Sequence, residues 1–116
     1  NYLIASGYNY DQTTTENKIG KAMASTTGWI SNTEPGAPGN DQSLNNSSGF
    51  NVFPEGYLIY DGSFNDEGYN AIFWSSAENN TSDAWSRNLL YNNSNLYRYR
   101  NDTNKQNGFS VRFVRD

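Results

Sequence analysis

The second half of the chain alternates apolar and polar residues in short runs, a pattern typical of β-strands separated by turns. In the clearest run, Phe109, Val111 and Phe113 are two positions apart, so their side chains point to one face of a strand. We predict strands at residues 50–53, 56–59, 71–75, 84–90, 96–100 and 109–114. We expect the last of these strands to be central in the sheet.

The first quarter of the chain contains the best helical pattern. Ile19 and Met23 are four positions apart, which places them on the same face of a helix. Thr13 is followed three positions later by Glu16, which is the spacing of an N-terminal capping box. We therefore predict a short amphipathic helix over residues 14–24.

A long loop is predicted between these two regions, because residues 26–49 are rich in Gly, Pro, Asn and Ser. No regular element tolerates the Pro and Gly residues of segment 33–40. Loops of this length in a compact domain are usually functional or disordered. We expect Trp29 to anchor the start of the loop in the core.

Length and composition indicate one domain with a modest core. The chain has 116 residues, of which 34% are hydrophobic and 16% aromatic. The core must therefore be built from few large rings, and we predict that Trp74 and Trp85 belong to it. No apolar run approaches the length of a transmembrane helix, so we expect no direct membrane insertion.

Charge and residue inventory exclude several function classes. The net charge is −4 and the few cations are scattered, which argues against a nucleic-acid partner. The chain contains no His and no Cys. Zinc sites, Cys or His nucleophiles, Ser/His/Asp triads and disulfides are therefore excluded.

The acidic residues give two weak candidates for chemistry. Two neighbouring carboxylates could hydrolyse a glycosidic bond, but solvated loop carboxylates are far commoner, and we predict no catalytic residue. Asp61, Asp66 and Glu67 could supply oxygen ligands to calcium, yet they miss the spacing of an EF-hand loop. We interpret residues 61–67 as a turn, and we expect neither a metal nor a cofactor.

Tyrosines in an Asn- and Arg-rich segment form the best candidate for a binding surface. Tyr91, Tyr97 and Tyr99 have almost no aliphatic neighbours in sequence, so we predict that they are exposed. Tyr gives a large contact area at a low entropy cost, while Asn and Ser add adaptable hydrogen bonds, as in antibody paratopes.

The arginines divide into two pairs. Arg87 and Arg112 alternate with apolar residues and are predicted to be structural. Arg98 and Arg100 lie next to the tyrosines and are predicted to meet the ligand.

Six motifs in a fixed order carry a family resemblance. They are Asn46-Ser47-Ser48-Gly49-Phe50, Phe53-Pro54-Glu55-Gly56-Tyr57, Gly62-Ser63-Phe64, Phe73-Trp74-Ser75-Ser76-Ala77-Glu78, Ala84-Trp85-Ser86-Arg87-Asn88-Leu89 and Gly108-Phe109-Ser110-Val111-Arg112-Phe113-Val114. In this order they resemble the Fibrobacter succinogenes major paralogous domain. The resemblance implies a C-type lectin-like or formylglycine-generating-enzyme-like α+β fold, with a short amphipathic helix, a long irregular loop and a twisted antiparallel sheet.

The resemblance also bears on the two ends of the chain. Residues 2–4 fit a strand or a helix end by pattern, and the resemblance favours the helix end. Relatives usually carry an upstream strand and helix, so we expect residues 1–116 to be a single domain that lacks them, with a partner chain as one source of the missing part. Relatives commonly have Cys where Phe113 stands, so a cysteine-dependent enzyme activity is not expected.

The resemblance implies a function outside the cytoplasm. Relatives occur in secreted or surface proteins of gut bacteria and in their phages, and some are the hypervariable targets of diversity-generating retroelements. We expect a non-enzymatic adhesin or receptor-binding module that binds a protein or glycan on a cell surface, with help from the long loop around Asn40. The alternatives are a structural domain of a surface or phage assembly and a carbohydrate-active enzyme. The predicted ligand-binding residues are Asn79, Asn80, Asp83, Ser86, Asn88, Tyr91, Asn93, Asn95, Tyr97, Arg98 and Tyr99.

Overall fold

The computed structural model describes residues 2–99 and 104–113. The helices are α1 (Tyr2–Ala5) and α2 (Gly20–Met23), with a 3₁₀ turn at Gln42–Leu44. The strands are β1 (Tyr57–Leu58), β2 (Phe64–Asn65), β3 (Asn70–Glu78), β4 (Ala84–Leu90) and β5 (Leu96–Tyr99). Short helices with antiparallel strands confirm the α+β class.

Two antiparallel sheets are present in this part of the chain. β1 pairs with β2, and β3, β4 and β5 form a three-stranded sheet in sequence order. β4 has the predicted bounds, β3 extends further than predicted, and β2 was not predicted. A bulge in β3 between Trp74 and Glu78 interrupts the pairing with β4. Arg100, predicted to end the fifth strand, lies outside the described residues.

The prediction of a central C-terminal strand is wrong. Within the described residues, the segment after Asn107 makes only two isolated bridges, from Gly108 to Leu58 and from Ser110 to Phe73. Val111 is 62% exposed and Phe113 is 92% exposed. The alternating pattern describes an extended backbone correctly, but it does not specify a partner strand. Val114 lies outside the described residues.

Residues 50–53 likewise form no strand in the described structure. Val52 makes a single parallel bridge to Ala24, the residue after α2. Its N–H donates to the carbonyl of Met23 at 2.9 Å, and its carbonyl accepts the N–H of Ser25 at 2.7 Å. The apolar run predicted as a strand therefore joins the end of α2 to the core.

The predicted helix starts too early, since α2 has only four residues. Glu16 has a positive φ of 63°, which a helix does not allow. The hydroxyl of Thr13 donates to the Asp11 carboxylate at 2.6 Å instead of capping a helix. The side-chain amide of Asn9 donates to the carbonyl of Thr15 at 2.8 Å, which also removes this segment from a helical path. These local polar contacts prevent the helix start that the capping-box spacing predicted.

The hydrophobic core lies between α2 and one face of the three-stranded sheet. Ile19 and Met23 come from the α2 segment, and Ala71 and Leu89 come from β3 and β4. Trp29 is 4% exposed, which confirms that it anchors the start of the long loop. Its ring N–H donates to the Ser25 hydroxyl at 3.1 Å. The helix end predicted for residues 2–4 is also confirmed by α1.

The long loop is irregular, as predicted, apart from its 3₁₀ turn. The buried Lys21 side chain holds it against α2, because its ammonium group donates to the carbonyl of Asn40 and, at 2.9 Å, to that of Asp41. Burial lowers the pKa of Lys21. The carbonyl of Lys21 in turn accepts the N–H of Asn46 at 3.1 Å.

Candidate functional site

The three-stranded sheet has one face that points away from the core. Residues directly opposite each other in an antiparallel ladder share a face. Trp74, Ser86 and Tyr99 form one such row across the sheet, and Ile72, Asn88 and Tyr97 form the next. The intervening positions, Ala71 and Leu89, belong to the core on the other face. We call the six residues of the two rows the trough.

Polar side chains form the floor of the trough. Ser86 is 1% exposed and Asn88 is 6% exposed, although both point away from the core. Among the described residues, neither Ser86 Oγ nor Asn88 Oδ1 has a hydrogen-bond partner. A buried polar atom without a partner is unusual and unfavourable. These two atoms therefore retain a hydrogen-bonding capacity that the described residues do not use.

Aromatic side chains form the walls of the trough. On the β5 side, the Tyr97 and Tyr99 ring centroids are 5.7 Å apart, and Tyr99 is 40% exposed. On the β3 side, the ring centroids of Trp74 and Phe109 are 4.3 Å apart. The ring centroids of Phe109 and Tyr57 are 6.1 Å apart. The polar floor is therefore lined by rings on both sides.

Arg98 does not belong to this surface. It lies opposite Arg87 on the other face of the sheet, and its guanidinium carbon is 3.8 Å from the ring centroid of Trp85. Burial, and then the charge of Arg98, lower the pKa of Arg87, whose Nη1 donates to the Ser86 carbonyl at 3.1 Å. The prediction that Arg98 shares a surface with Tyr97 and Tyr99 is wrong, because it is one position out of phase with them.

Three predicted site residues lie in the loop between β3 and β4. Asn79 and Asn80 are exposed, and Asp83 is half-buried. The Asn80 amide donates to the Asp83 carboxylate at 2.9 Å. Lys105 crosses this loop and bonds the Glu78 carboxylate as well as the Asn80 carbonyl. The loop adjoins the end of the trough that carries Trp74, Ser86 and Tyr99.

Three other predicted site residues lie beyond the far end of β4. Tyr91 is half-buried and packs against the core cluster. Its ring centroid lies 5.1 Å from that of Tyr69. Asn93 and Asn95 are joined by a hydrogen bond of 2.9 Å within the turn. The length of β4 separates this turn from Asn79 by about 20 Å.

The predicted site residues therefore do not form a single exposed surface. The structure brings together Ser86, Asn88, Tyr97 and Tyr99, and it buries the first two of them. Trp74 was predicted to be in the core together with Trp85, but both are half-buried and lie outside the core cluster of the described residues. Register could have placed Trp74 in the trough, since it lies opposite Ser86.

Comparison with known proteins identifies the family. The family model of the Fibrobacter succinogenes major domain matches residues 1–115. The chain belongs to this family. No curated protein and no solved structure gives a significant match to it.

Several clefts lie elsewhere in the described part of the Fibrobacter succinogenes major domain, and two of them adjoin residues already described. One, of about 230 Å³, is lined by apolar side chains that include Phe50, Phe73 and Val111, and the Arg112 guanidinium lies 4.7 Å from the Phe50 ring centroid. The other, of about 380 Å³, lies beside Lys21. Neither shares a residue with the trough.

The acidic segment of the domain contains a local turn. The Asp61 carboxylate accepts hydrogen bonds from the hydroxyl of Ser63 at 2.7 Å and from its N–H at 2.9 Å, and these bonds lower the pKa of Asp61. Within residues 2–99 and 104–113, no three His, Cys, Asp or Glu side chains are grouped so as to hold a metal ion. None of the helices described there has the length and apolar character needed to cross a membrane.

Proposed function

We propose that this Fibrobacter succinogenes major domain is a non-enzymatic ligand-binding module and that the trough holds the ligand. The observation that carries the proposal is the unpaired state of Ser86 Oγ and Asn88 Oδ1 on a face away from the core. Each unpaired buried atom costs about 1–3 kcal/mol. A ligand that bonds these atoms removes this penalty and gains affinity.

The chemistry of the trough supports binding over catalysis. Its six side chains offer rings, one hydroxyl-bearing Ser, one amide and one aliphatic group, but no carboxylate, imidazole or thiol. Aromatic anchors with adaptable polar neighbours are typical of binding surfaces. We therefore propose an adhesin or receptor-binding role with a C-type lectin-like fold, outside the cytoplasm or on a phage particle, and a cell-surface protein or glycan as the ligand.

The loop beside the trough extends this proposal to diversification. Asn79 and Asn80 are exposed there, and Asp83 is half-buried. Mutation of adenines in an Asn codon yields Asn, Asp, Ser and Tyr, which are the residue types at these three positions and at Ser86, Asn88, Tyr97 and Tyr99. We propose that these positions vary between copies of the domain. Sequencing the locus for a reverse transcriptase and a template repeat tests this, and a locus without either contradicts it.

Binding by tyrosine variants tests the proposed function. Fluorescently labelled domain should be applied to intact bacterial cells, to a glycan array and to immobilised cell-surface protein. We expect Tyr97→Ala and Tyr99→Ala each to weaken binding by roughly 30-fold, the effect of losing an anchor worth about 2 kcal/mol. Tyr60→Ala is the matched control, because Tyr60 is 68% exposed and lies outside the trough.

The outcome separates the trough from other surfaces. Equal binding of the wild type and of both trough variants, with folding confirmed by circular dichroism, contradicts the proposal. We also expect a chelator to leave binding unchanged, because the trough has no carboxylate to hold calcium. Loss of binding on chelation would move the site to the acidic turn at Asp61.

A structural role in a surface assembly is the second candidate. It is favoured by apolar side chains that are exposed away from the trough, including Phe64 at 57%, Val111 at 62% and Phe113 at 92%. Val111 also lines the cleft of about 230 Å³. Comparing the sedimentation of the wild type with that of Val111→Ser tests this role. If the domain self-associates through this cleft, the substitution reduces the self-association.

A further inference from the structure

We infer that the ligand of the trough is a neutral carbohydrate, with its ring stacked on the tyrosines and its hydroxyl groups bonded to the floor. The inference rests on the proposed function and names the chemical class that the site accepts. Three properties of the trough select this class. They are the hydrogen-bonding capacity of the floor, the apolar character of the walls and the distribution of charge between the two faces of the sheet.

The floor requires a ligand with more than one hydroxyl-like group. Asn88 Oδ1 only accepts a hydrogen bond, whereas Ser86 Oγ both donates and accepts. The two residues are two positions apart on β4, a distance of about 6.6–6.8 Å along the strand. A hydroxyl group suits either atom, and a sugar carries several hydroxyl groups around one ring. A purely apolar ligand would leave both floor atoms unpaired.

The walls require a ligand with apolar faces. Tyr97 and Tyr99 present neighbouring rings 5.7 Å apart, tilted by 32°. A pyranose ring combines a C–H face, which packs on aromatic rings, with hydroxyl groups at its edge. Such a ring can therefore contact the tyrosines and reach the floor at the same time. A small polar molecule without a C–H face would leave the rings without a partner.

Charge makes a neutral ligand the better fit. The six trough residues are uncharged, and Glu78, which lies opposite Ala84 on the same face of the ladder, is paired with Lys105, whereas Arg87 and Arg98 lie on the opposite face. An anionic sugar would find no cation in the trough, and the net charge of −4 would oppose its approach. A cationic ligand would find no carboxylate among the trough side chains.

Access to the floor requires a side-chain movement, because both floor residues are buried. Ser86 and Asn88 are almost fully buried, so the ligand reaches them only when a wall moves. Tyr99 is 40% exposed, and exposed side chains change rotamer within picoseconds to nanoseconds. A side chain beside the floor must therefore move before a sugar can bond Ser86 and Asn88, and Tyr99 is the most exposed side chain of the two rows.

A glycan panel tests the inference. The probes are neutral hexose and N-acetylhexosamine oligosaccharides, compared with uronic-acid and sialylated oligosaccharides of similar size. We expect wild-type protein to bind at least one neutral probe and to prefer it to its acidic counterpart. Ser86→Ala removes only the hydroxyl group, so it should fold, and we expect it to bind the neutral probe about fivefold or more weakly. Tyr60→Ala should bind like the wild type.

The results separate this inference from the proposed function. Failure to bind any neutral probe, preference for acidic probes, or unchanged neutral-glycan binding by Ser86→Ala overturns the inference. If a protein ligand is found whose binding needs Tyr97 and Tyr99, the proposed function stands without it. If a neutral glycan binds equally well to Tyr97→Ala and Tyr99→Ala, the site lies elsewhere and both proposals fail.

Discussion

The side-chain amide of Asn17 pairs with both backbone groups of Leu96. Its Nδ2 donates to the Leu96 carbonyl at 2.7 Å, and its Oδ1 accepts the Leu96 N–H at 3.1 Å. Leu96 begins β5, whose other side pairs with β4, so the amide occupies the outer edge of the sheet. Exposed strand edges are templates for unwanted pairing. Asn17 therefore protects this edge and ties the segment before α2 to the sheet.

Removing this amide should destabilise the domain. We expect Asn17→Ala to lower the free energy of unfolding by about 1–2 kcal/mol, because two backbone groups lose their partner. Asn17→Asp keeps the acceptor and loses the donor, so its effect should be intermediate. Urea denaturation measures both variants, and Asn92→Ala, in an exposed turn position, is the control. Equal stability of Asn17→Ala and Asn92→Ala would contradict the expectation.

Substitutions that remove the unpaired polar groups of the floor should keep or raise the stability of the domain while they weaken binding. Ser86→Ala removes a hydroxyl group without a partner, and Asn88→Leu replaces an amide by an apolar group of similar size. We expect the free energy of unfolding to stay equal or to rise by up to about 1 kcal/mol in each variant. Thermal and urea unfolding measure this. A loss greater than about 1 kcal/mol would indicate that these atoms are hydrogen-bonded in solution.

The core should depend more on Leu89 than on Trp85. Leu89 is fully buried within the core cluster, whereas Trp85 is half-buried and stacks on Arg98. We expect Leu89→Ala to cost about 2–5 kcal/mol. Trp85→Ala should cost less than half as much, although it removes the larger side chain. Urea denaturation of the two variants decides between this order and the reverse.

The sequence was informative where one local pattern determines the structure. The apolar residues of β4 gave its bounds, and Trp29, a large ring next to a polar loop, was correctly placed in the core. The family was also recognised from short motifs, as the family model confirms.

Pairing between distant segments was not predictable in this way. Val111 and Phe113 alternate like a buried strand, but their burial depends on a partner that the pattern does not specify. The trough depends on register, which puts Ser86 between Trp74 and Tyr99. Composition alone assigned Arg98 to the same surface as Tyr97 and Tyr99. The two-residue period of a β-strand puts it on the opposite face.

The ion pair between Asp11 and Lys18 gives a pH-dependent prediction. Lys18 Nζ lies 2.8 Å from Asp11 Oδ2, and the hydroxyl and N–H of Thr13 donate to Asp11 Oδ1. The hydrogen bond from Lys18, followed by that from the Thr13 hydroxyl, lowers the pKa of Asp11 from 3.8 to about 2. Because the pKa is lower in the folded state, this stabilisation is complete above the unfolded value and is lost as the pH falls from 3.8 towards about 2.

Titration of the Asp11 carboxyl group by NMR measures this directly. We expect a midpoint at about 2 in the wild type and a higher midpoint in Lys18→Gln, which stays below 3.8 because the Thr13 bonds remain. Asp61 is the matched control, since the hydroxyl and N–H of Ser63 lower its pKa. Its midpoint should rise in Ser63→Ala and stay unchanged in Lys18→Gln. An Asp11 midpoint that does not respond to Lys18→Gln would show that the Thr13 bonds alone hold the carboxylate.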